Sequence, residues 1–232
     1  MTAVLELAAV SRTYPGSSPV TALVCVDLQI HAAERTVVLG PSGSGKTTLL
    51  HVLGTLERPS QGSVRISGQE VSALPDAELS GIRAHRLGFV FQAFHLIDHL
   101  DAVQNVALGL LYQGGRRQHD ARARRAAAVE ALDRVGLGSR LSHRPGQLSG
   151  GECQRVAIAR AVVGRPDVVL ADEPTGNLDS AAGAEIITLL AGLAADGTAV
   201  VVVTHDPAVA AAMDRRVQMR DGRVIADDGG TR

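Results

Sequence analysis

Hydrophobic and polar positions along the chain follow two different periods, which predict strands and helices in alternation. Segments 4–10 and 21–30 alternate or run apolar on either side of a loop at 14–19 that is rich in Pro, Gly and Ser, and they predict a small antiparallel sheet. Further along, short apolar runs predict buried strands at 36–39, 87–91, 168–171 and 198–204. Apolar positions at helical spacing predict helices at 49–56, 181–195 and 207–213.

Three other segments complete the predicted architecture. The interval 57–86 is polar and rich in turn residues, so we expect a connection there, and 93–164 is mostly helical in pattern, with glycine breaks at 114–115 and Gly136 and a Pro-Gly break at 145–146. Segments 217–220 and 223–225 predict a hairpin that turns on Asp221-Gly222. Strands that alternate with helices predict an α/β fold, a mostly parallel sheet flanked by helices. The N-terminal antiparallel β subdomain and an inserted α-helical subdomain at about 93–164 would be attached to that core.

Length and composition restrict the class of protein. The 232 residues suit one domain, and 45% hydrophobic with 20% charged residues is typical of a globular protein. The formal net charge of -1 gives no bulk attraction to nucleic acid, and we expect no nucleic-acid partner. No apolar run reaches the roughly 20 residues that cross a bilayer, and the first residues lack the pattern of a secretion signal. We therefore expect a cytoplasmic protein, and its two cysteines show no metal or redox spacing.

Lys46 stands out in the composition because it is the only lysine, whereas the other 22 cationic residues among the 23 Lys and Arg are arginine. A position that keeps lysine against such a bias needs a compact ammonium group that a planar guanidinium cannot replace.

The segment around Lys46 predicts a phosphate-binding loop. It satisfies the pattern G-x-x-x-x-G-K-[ST] between a predicted strand and a predicted helix. The loop consists of Gly40, Pro41, Ser42, Gly43, Ser44, Gly45, Lys46, Thr47 and Thr48. Backbone N–H groups would converge on phosphate oxygens, Lys46 would bridge the β and γ phosphates, and the Thr47 hydroxyl would ligate Mg²⁺. The alternative is a flexible Gly-Ser turn.

Polar side chains follow three predicted strands at the point where each strand ends. Asp172 and Glu173 come after 168–171, His205 after 198–204, and Gln92 after 87–91. The carboxyl ends of parallel strands share one sheet edge, where α/β proteins bind ligands. There Asp172 would hold Mg²⁺, Glu173 would act as general base, and His205 would contact the γ-phosphate or position the water. Gln92 would reach the metal or the water as an amide ligand. The alternatives are solvated acids and a structural histidine.

Two further features point to nucleotide contacts. Tyr14, in a chain with only two tyrosines, could stack on adenine or be a plain loop residue. Ser149, Gly150 and Gly151 open a helix, and Glu152 stands at capping-box spacing, so the motif is either a well-capped helix or a bare helix N-terminus that contacts phosphate. A second phosphate-seeking helix end in one small domain suggests a site completed by another copy of the chain.

The neighbouring Cys153 is either a tolerated substitution or, because it lies near a helix N-terminus, a thiol of lowered pKa.

These motifs, in this order, resemble the ABC transporter ATPases over essentially the whole chain. The loop at 40–48 resembles the Walker A loop, 148–155 the ABC signature, 168–173 the Walker B strand with its catalytic glutamate, and 177–179, with Asp179, the D-loop. Gln92, His205 and Tyr14 match the family's Q-loop glutamine, switch histidine and adenine-stacking aromatic. Segments 89–105, 143–145 and 176–180 are similar to those of the macrolide-export and lipoprotein-release group.

The resemblance implies one ABC-type nucleotide-binding domain over 1–232, with a P-loop NTPase core. It would bind ATP with Mg²⁺, close as a head-to-tail dimer with a second copy of itself, and drive a separate integral membrane permease through the permease's cytoplasmic coupling helix. Phe94, Leu96 and His99 would contact that helix, and the protein would lie peripherally on the inner face of the membrane. The alternative is a cell-division-type regulatory ATPase that signals without transport. A DNA-repair type is disfavoured because the interval between Walker A and signature carries no sustained heptads.

Overall fold

The computed structural model describes residues 3–113 and 120–229, and these form ten strands and seven α-helices. The strands are β1 (Ala3–Tyr14), β2 (Val20–His31), β3 (Arg35–Leu39), β4 (Gln61–Ile66), β5 (Gln69–Glu70), β6 (Leu87–Phe91), β7 (Val168–Asp172), β8 (Ala199–Thr204), β9 (Arg215–Arg220) and β10 (Arg223–Asp227). The helices are α1 (Lys46–Leu53), α2 (Asp76–Arg86), α3 (Ala102–Ala107), α4 (Ala121–Arg134), α5 (Gly150–Val162), α6 (Ser180–Gly192) and α7 (Pro207–Ala211).

The central sheet has six strands in the order β10-β9-β3-β8-β7-β6. All neighbours are parallel except β10, which forms the predicted hairpin with β9. Every residue of β8 is buried, as are the first four of β7, because helices cover both faces of a parallel sheet. Strands β3, β6, β7 and β8 therefore end at one edge. The prediction of an α/β fold with a mostly parallel sheet is confirmed.

A second, antiparallel sheet has the order β2-β1-β4-β5 and confirms the predicted N-terminal pair. The interpretation of 57–86 as a mere connection is wrong, since it contains β4, β5 and α2. In β4 only Val64 and Ile66 are buried, so the strand depends on packing against β1 and not on an apolar run. Gly62 lies at the irregularity in this pairing, at φ +85, where a Cβ would lie 2.4 Å from the Ala9 carbonyl oxygen.

Helices α3, α4 and α5 pack around their own apolar cluster, which includes Val106, Leu132 and Val156. This is the helical insertion between β6 and β7. The predicted break at 114–115 lies outside the described residues. Within the described part of the chain, no helix is both long and apolar enough to span a membrane.

Helix α1 starts three residues earlier than predicted, directly at Lys46. Gly45, at φ +98, provides the left-handed turn that lets the helix follow the loop without a linker. The helix also ends earlier than predicted, at Leu53, because Gly54 and then Thr55, at φ +54, leave the helical conformation.

Candidate functional site

Two glycines of the loop at 40–48 are required by close backbone contacts. A Cβ on Gly40 would lie 2.4 Å from the carbonyl oxygen of Met219, and one on Gly45 would lie 2.4 Å from that of Ala22. The loop is thus held between the end of β9 and the beginning of β2, with the N-terminus of α1 behind it. In this arrangement the backbone N–H groups of the loop and the positive end of the α1 dipole both face the region in front of the loop.

Lys46 is buried, and its ammonium group folds back onto the loop. The Nζ atom donates hydrogen bonds to the carbonyl oxygens of Gly40 at 2.8 Å and Pro41 at 2.9 Å. The Ser44 hydroxyl oxygen is also buried, and it has no hydrogen-bond partner among the residues that the structure describes. Within the part of the chain that the structure describes, this buried cation donates hydrogen bonds to neutral carbonyls alone.

A cleft of about 920 Å³ opens beside the loop, at the carboxyl edge of the central sheet. Nine of the eighteen predicted site residues line it. The lining consists of Ala22, Ser42, Gly43, Gly45, Lys46, Thr47, Thr48, Gln92, Glu173, Thr175, Gly176, Val203, His205, Asp206 and Pro207.

Thr47 and Asp172 lie side by side at the end of β7. The Thr47 hydroxyl donates to Asp172 Oδ1 at 3.5 Å. Burial raises the pKa of Asp172 and the neighbouring Glu173 raises it further, while the Thr47 hydrogen bond opposes the change. A hydroxyl and a carboxylate form the hard oxygen set that Mg²⁺ prefers, so these two residues fit the predicted metal.

Glu173 is held by contacts to two residues at the end of β8. Its Oε2 accepts a hydrogen bond from the Thr204 hydroxyl at 2.8 Å, and its Oε1 lies 2.8 Å from His205 Nδ1. Glu173 itself adopts φ +44, a left-handed conformation that is uncommon for a residue with a side chain. The Thr204 contact was not predicted, because threonine at a buried strand end carries no signal in the sequence.

Gln92 lines the cleft, but its amide is paired with Asn177 in the loop after β7. Gln92 Nε2 donates to Asn177 Oδ1 at 3.1 Å, and Asn177 Nδ2 donates to the Gln92 carbonyl oxygen at 3.0 Å. A Cβ on Gly176 would lie 2.8 Å from Gln92 Nε2, which shows how closely the two loops approach. The role of Gln92 as a metal or water ligand stays a prediction.

Tyr14 does not line the cleft, although it reaches a residue that does. Its hydroxyl donates to Glu57 Oε2 at 2.6 Å and lies 3.4 Å from the Thr48 hydroxyl. The guanidinium carbon of Arg12 lies 4.7 Å from the centroid of the Tyr14 ring. Stacking of this ring on adenine stays a prediction.

The predicted signature residues form both hydrogen bonds of a capping box at the start of α5. The Ser149 hydroxyl accepts from the Glu152 N–H at 3.2 Å, and Glu152 Oε2 accepts from the Ser149 N–H at 2.8 Å. That backbone hydrogen bond and the Arg140 guanidinium hold the pKa of Glu152 below its usual range. Ser149 and Gly150 are exposed, and neither they nor Gly151 line the cleft of their own chain.

Asp179 is likewise separated from the cleft. Its carboxylate caps α6 by accepting hydrogen bonds from the N–H groups of Ala181 at 3.0 Å and Ala182 at 2.9 Å. A nucleotide contact by Asp179 stays a prediction.

The interpretation of Cys153 as a thiol of lowered pKa is wrong. Cys153 is buried, and its Sγ lies 3.6 Å from the Pro145 carbonyl oxygen. Burial raises the pKa of this thiol, and the adjacent Glu152 raises it further.

Gln154 was missed by the sequence reasoning, although it joins three parts of the site. It is fully buried in α5, and its Nε2 donates to the carbonyl oxygens of Pro174 at 2.7 Å and Phe91 at 3.3 Å. Those carbonyls adjoin Glu173 and Gln92. A long polar residue at a buried helical position is the signal that could have identified it.

Comparisons with known proteins agree with this geometry. Residues 23–176 match the family model described as ABC transporter. The chain is 45% identical over 230 residues to the macrolide export ATP-binding/permease protein MacB of Photorhabdus laumondii and 50% identical over 229 residues to that of Chlorobium luteolum. These alignments cover 99% and 97% of this chain but 35% and 33% of the relatives, so the chain spans about a third of their length.

Solved structures resemble the fold over nearly the whole chain. One is the dimeric post-hydrolysis state of the ATP-binding cassette MJ0796 bound to ADP and Pi, with a TM-score of 0.88 and 43% identity. Another is the dimeric structure of MJ0796, a bacterial ABC transporter cassette, with the same TM-score and identity. Each alignment covers 97% of both chains.

Proposed function

This chain belongs to the ABC transporter family and is an ATP-hydrolysing cassette, and from that premise we propose that it drives a membrane permease by closing as a head-to-tail dimer around ATP. We propose export or extraction as the direction of transport, since the curated relatives are named for macrolide export. Those names do not favour the alternative of a regulatory ATPase that signals without transport.

One observation carries the dimer proposal: the two phosphate-seeking elements of the chain do not meet. Six residues of the loop at 40–48 and Glu173, directly after β7, line the cleft, whereas Ser149 and Gly150 lie exposed outside it. The capping box leaves other N–H groups at the start of α5 available, and the two glycines place no side chain in front of them. A second copy in head-to-tail orientation would bring these groups to the terminal phosphate. The dimers solved for MJ0796 support pairing with a second copy.

Glu173 is the group that we assign to water activation. Its carboxylate lines the cleft and is fixed by Thr204 on one oxygen and by His205 on the other. A fixed carboxylate can accept a proton from a water held against the γ-phosphate. Lys46 would leave the carbonyls of Gly40 and Pro41 for the phosphate oxygens, because an anion binds an ammonium group more strongly than a neutral carbonyl does.

The metal assignment rests on Thr47 and Asp172. When bound there, Mg²⁺ would neutralise charge on the β and γ phosphates. The raised pKa of Asp172 fits this role, because its partial burial disfavours the charged form and a bound cation would offset that.

Tyr14 is the residue that we assign to the base. Its hydroxyl lies near Thr48, which follows Lys46 and Thr47 in the cleft, so the ring is at the end of the loop where a nucleotide would extend beyond its phosphates. Arg12 covers one face of the ring, and a base would stack on the other face.

The permease contact that we propose is a groove between α2, β6, α5 and the segment after β6. It has a volume of about 330 Å³, and its lining includes Phe89, Phe91, His95, Ile97 and Arg160. The rings of Phe89 and Phe91 and the partly exposed side chain of Ile97 give the groove an apolar lining. Such a lining suits the apolar face of an amphipathic helix. The expected contacts Phe94, Leu96 and His99 do not line this groove, and Leu96 packs against the apolar cluster of α3, α4 and α5. Docking there would place the protein on the inner face of the membrane.

A mixed-dimer experiment tests the proposal. Lys46→Ala disables the loop and leaves Ser149–Gly151 intact, whereas Gly150→Glu places a charge at the start of α5 and leaves the loop intact. In a mixed dimer one site carries both changes and the other carries neither. We therefore expect each variant alone to be inactive and their mixture to regain ATPase activity.

The outcome depends on the two variants pairing, so the mixture should be purified through two different affinity tags. Purified mixed dimers that hydrolyse no ATP would contradict the head-to-tail arrangement, as would full activity of Gly150→Glu alone. A mixture of wild-type chains with the two tags, purified in the same way, is the control for losses during purification.

A further inference from the structure

Glu57 lies outside all the motifs, yet three side chains around the loop at 40–48 converge on its carboxylate. Its Oε2 accepts hydrogen bonds from the Tyr14 hydroxyl at 2.6 Å and from Arg12 Nε at 3.1 Å. Its Oε1 lies 3.5 Å from Nδ1 of His51. His51 is on α1, the helix that begins at Lys46, so Glu57 connects the end of β1 to the helix that carries the phosphate loop.

Glu57 is well placed to hold these groups still. Its side chain is only 24% exposed, so its hydrogen bonds are partly shielded from water. Burial raises its pKa, but the hydrogen bonds from Tyr14, His51 and Arg12 outweigh burial, and the net effect holds the pKa of Glu57 below its usual range. The carboxylate is therefore ionised at neutral pH and stays an acceptor for both Tyr14 and Arg12.

The two groups held by Oε2 also contact each other. Arg12 stacks over the Tyr14 ring with its guanidinium carbon 4.7 Å from the ring centroid. Glu57 Oε2 thus fixes the tilt of the Tyr14 ring through the Tyr14 hydroxyl. The same oxygen holds Arg12 in place over one face of the ring. The face opposite Arg12 is the one that we assign to a planar ligand, and the distance of 3.4 Å between the Tyr14 and Thr48 hydroxyls ties the ring to the cleft.

We infer that Glu57 is a positioning residue for the nucleotide base, which orients Tyr14 and stacks Arg12 behind it so that the free face of the ring receives a purine. This inference rests on the assignment of Tyr14 to the base under the proposed function. Glu57 acts on the base through Tyr14 and Arg12, its contact with His51 anchors it to α1, and it does not line the cleft. Its effect should therefore be confined to ligands that carry a base.

The test compares two probes in equilibrium binding with magnesium present: ATP, which has a base, and inorganic tripolyphosphate, which has none. Glu57→Ala should weaken ATP binding about three- to tenfold, the range of one lost aromatic contact. It should leave tripolyphosphate binding unchanged. Glu57→Gln keeps an acceptor oxygen for the Tyr14 hydroxyl and should recover part of the loss. Glu70→Ala removes an exposed acid on β5 of the antiparallel sheet and is the matched control.

Tyr14→Ala separates this inference from the assignment on which it rests. In that background Glu57→Ala should have no further effect, because the ring through which it acts is absent. If Tyr14→Ala leaves ATP affinity unchanged, the base assignment fails and this inference fails with it. If Tyr14→Ala weakens ATP binding and Glu57→Ala does not, the assignment stands and the role of Glu57 is overturned. Equal weakening of ATP and tripolyphosphate by Glu57→Ala would overturn it too, because that result indicates general damage to the loop.

Discussion

The imidazole of His205 is joined to the carboxylate of Glu173, with Nδ1 of the histidine 2.8 Å from Oε1 of the glutamate. Because a carboxylate only accepts hydrogen bonds, the imidazole donates from Nδ1. His205 is 79% exposed in its side chain and Glu173 only 21% exposed. The exposed histidine thus holds a shielded acid at the cleft, and among the described residues its other ring nitrogen has no hydrogen-bond partner.

Glu173→Gln should abolish most of the turnover and leave ATP binding intact. The amide keeps the shape of the side chain but cannot take a proton, and loss of a general base costs roughly 10²–10⁴-fold in rate. Steady-state ATPase assays and size-exclusion chromatography with ATP measure the two effects, and we expect an ATP-dependent dimer that dissociates slowly.

Glu78→Gln, which changes an exposed glutamate in the first turn of α2, is the control for that variant. Full activity of Glu173→Gln would remove Glu173 from its assigned role. Loss of activity together with loss of ATP binding would indicate a disrupted cleft and would also contradict the assignment.

Asp172→Asn should stabilise the nucleotide-free protein at neutral pH, although it removes a proposed metal ligand. Burial raises the pKa of Asp172, so the folded state disfavours its charged form. This destabilisation is fully present above the raised pKa and disappears as the pH falls below the ordinary carboxyl value. A gain of about 1 kcal/mol would raise Tm by roughly 2–4 °C in a chain of this size.

Thermal unfolding at a series of pH values checks this prediction, with the exposed Asp98→Asn as the matched control. The difference in Tm between Asp172→Asn and wild type should shrink as the pH is lowered. Addition of ATP and magnesium should stabilise the wild type more than the variant. A variant that is less stable than wild type at neutral pH would show that the Thr47 hydrogen bond outweighs burial.

Lys46 should react slowly with amine-selective reagents, and ATP should slow it further. It is the only lysine, it is buried, and its ammonium group donates to the Gly40 and Pro41 carbonyls. The N-terminal amine of the expressed chain should be labelled first, and peptide mass spectrometry distinguishes the two positions. Lys46→Arg should take up label only at the N-terminus. Equal labelling of Lys46 with and without ATP would contradict binding of phosphate at this loop.

The parallel core was predictable from the sequence because its strands depend on local composition. Strands β7 and β8 are buried on both faces, so their sequences are continuous apolar runs. Strands β4 and β5 and helix α2 were not predictable in this way. In β4 only alternate residues are buried, and their burial depends on contact with β1, more than 50 residues earlier in the chain.

The same distinction applies to the candidate site. The loop at 40–48 and the acids after β7 were found because glycines, a lysine and carboxylates at strand ends have a direct chemical meaning. The contacts of Thr204 and Glu57 depend on which loops the fold brings together, and no local pattern specifies that. For Cys153 a local feature of the sequence gave a wrong prediction. Its position near a helix N-terminus suggested a lowered thiol pKa, whereas burial raises that pKa.

Gln154→Met should reduce ATPase activity more than it reduces ATP affinity, and it should also lower stability. The Gln154 amide donates to the carbonyls of Pro174 and Phe91, which adjoin Glu173 and Gln92, so it holds both loops against α5. Methionine fills a similar volume without a donor, and a buried acceptor left unsatisfied costs about 1–3 kcal/mol. The orphaned Oε1 of Gln154 is removed at the same time, which offsets part of that loss. Urea unfolding, ATP titration and steady-state turnover measure the three effects, with the exposed Gln69→Met as control. Unchanged turnover in a destabilised variant would restrict Gln154 to a structural role.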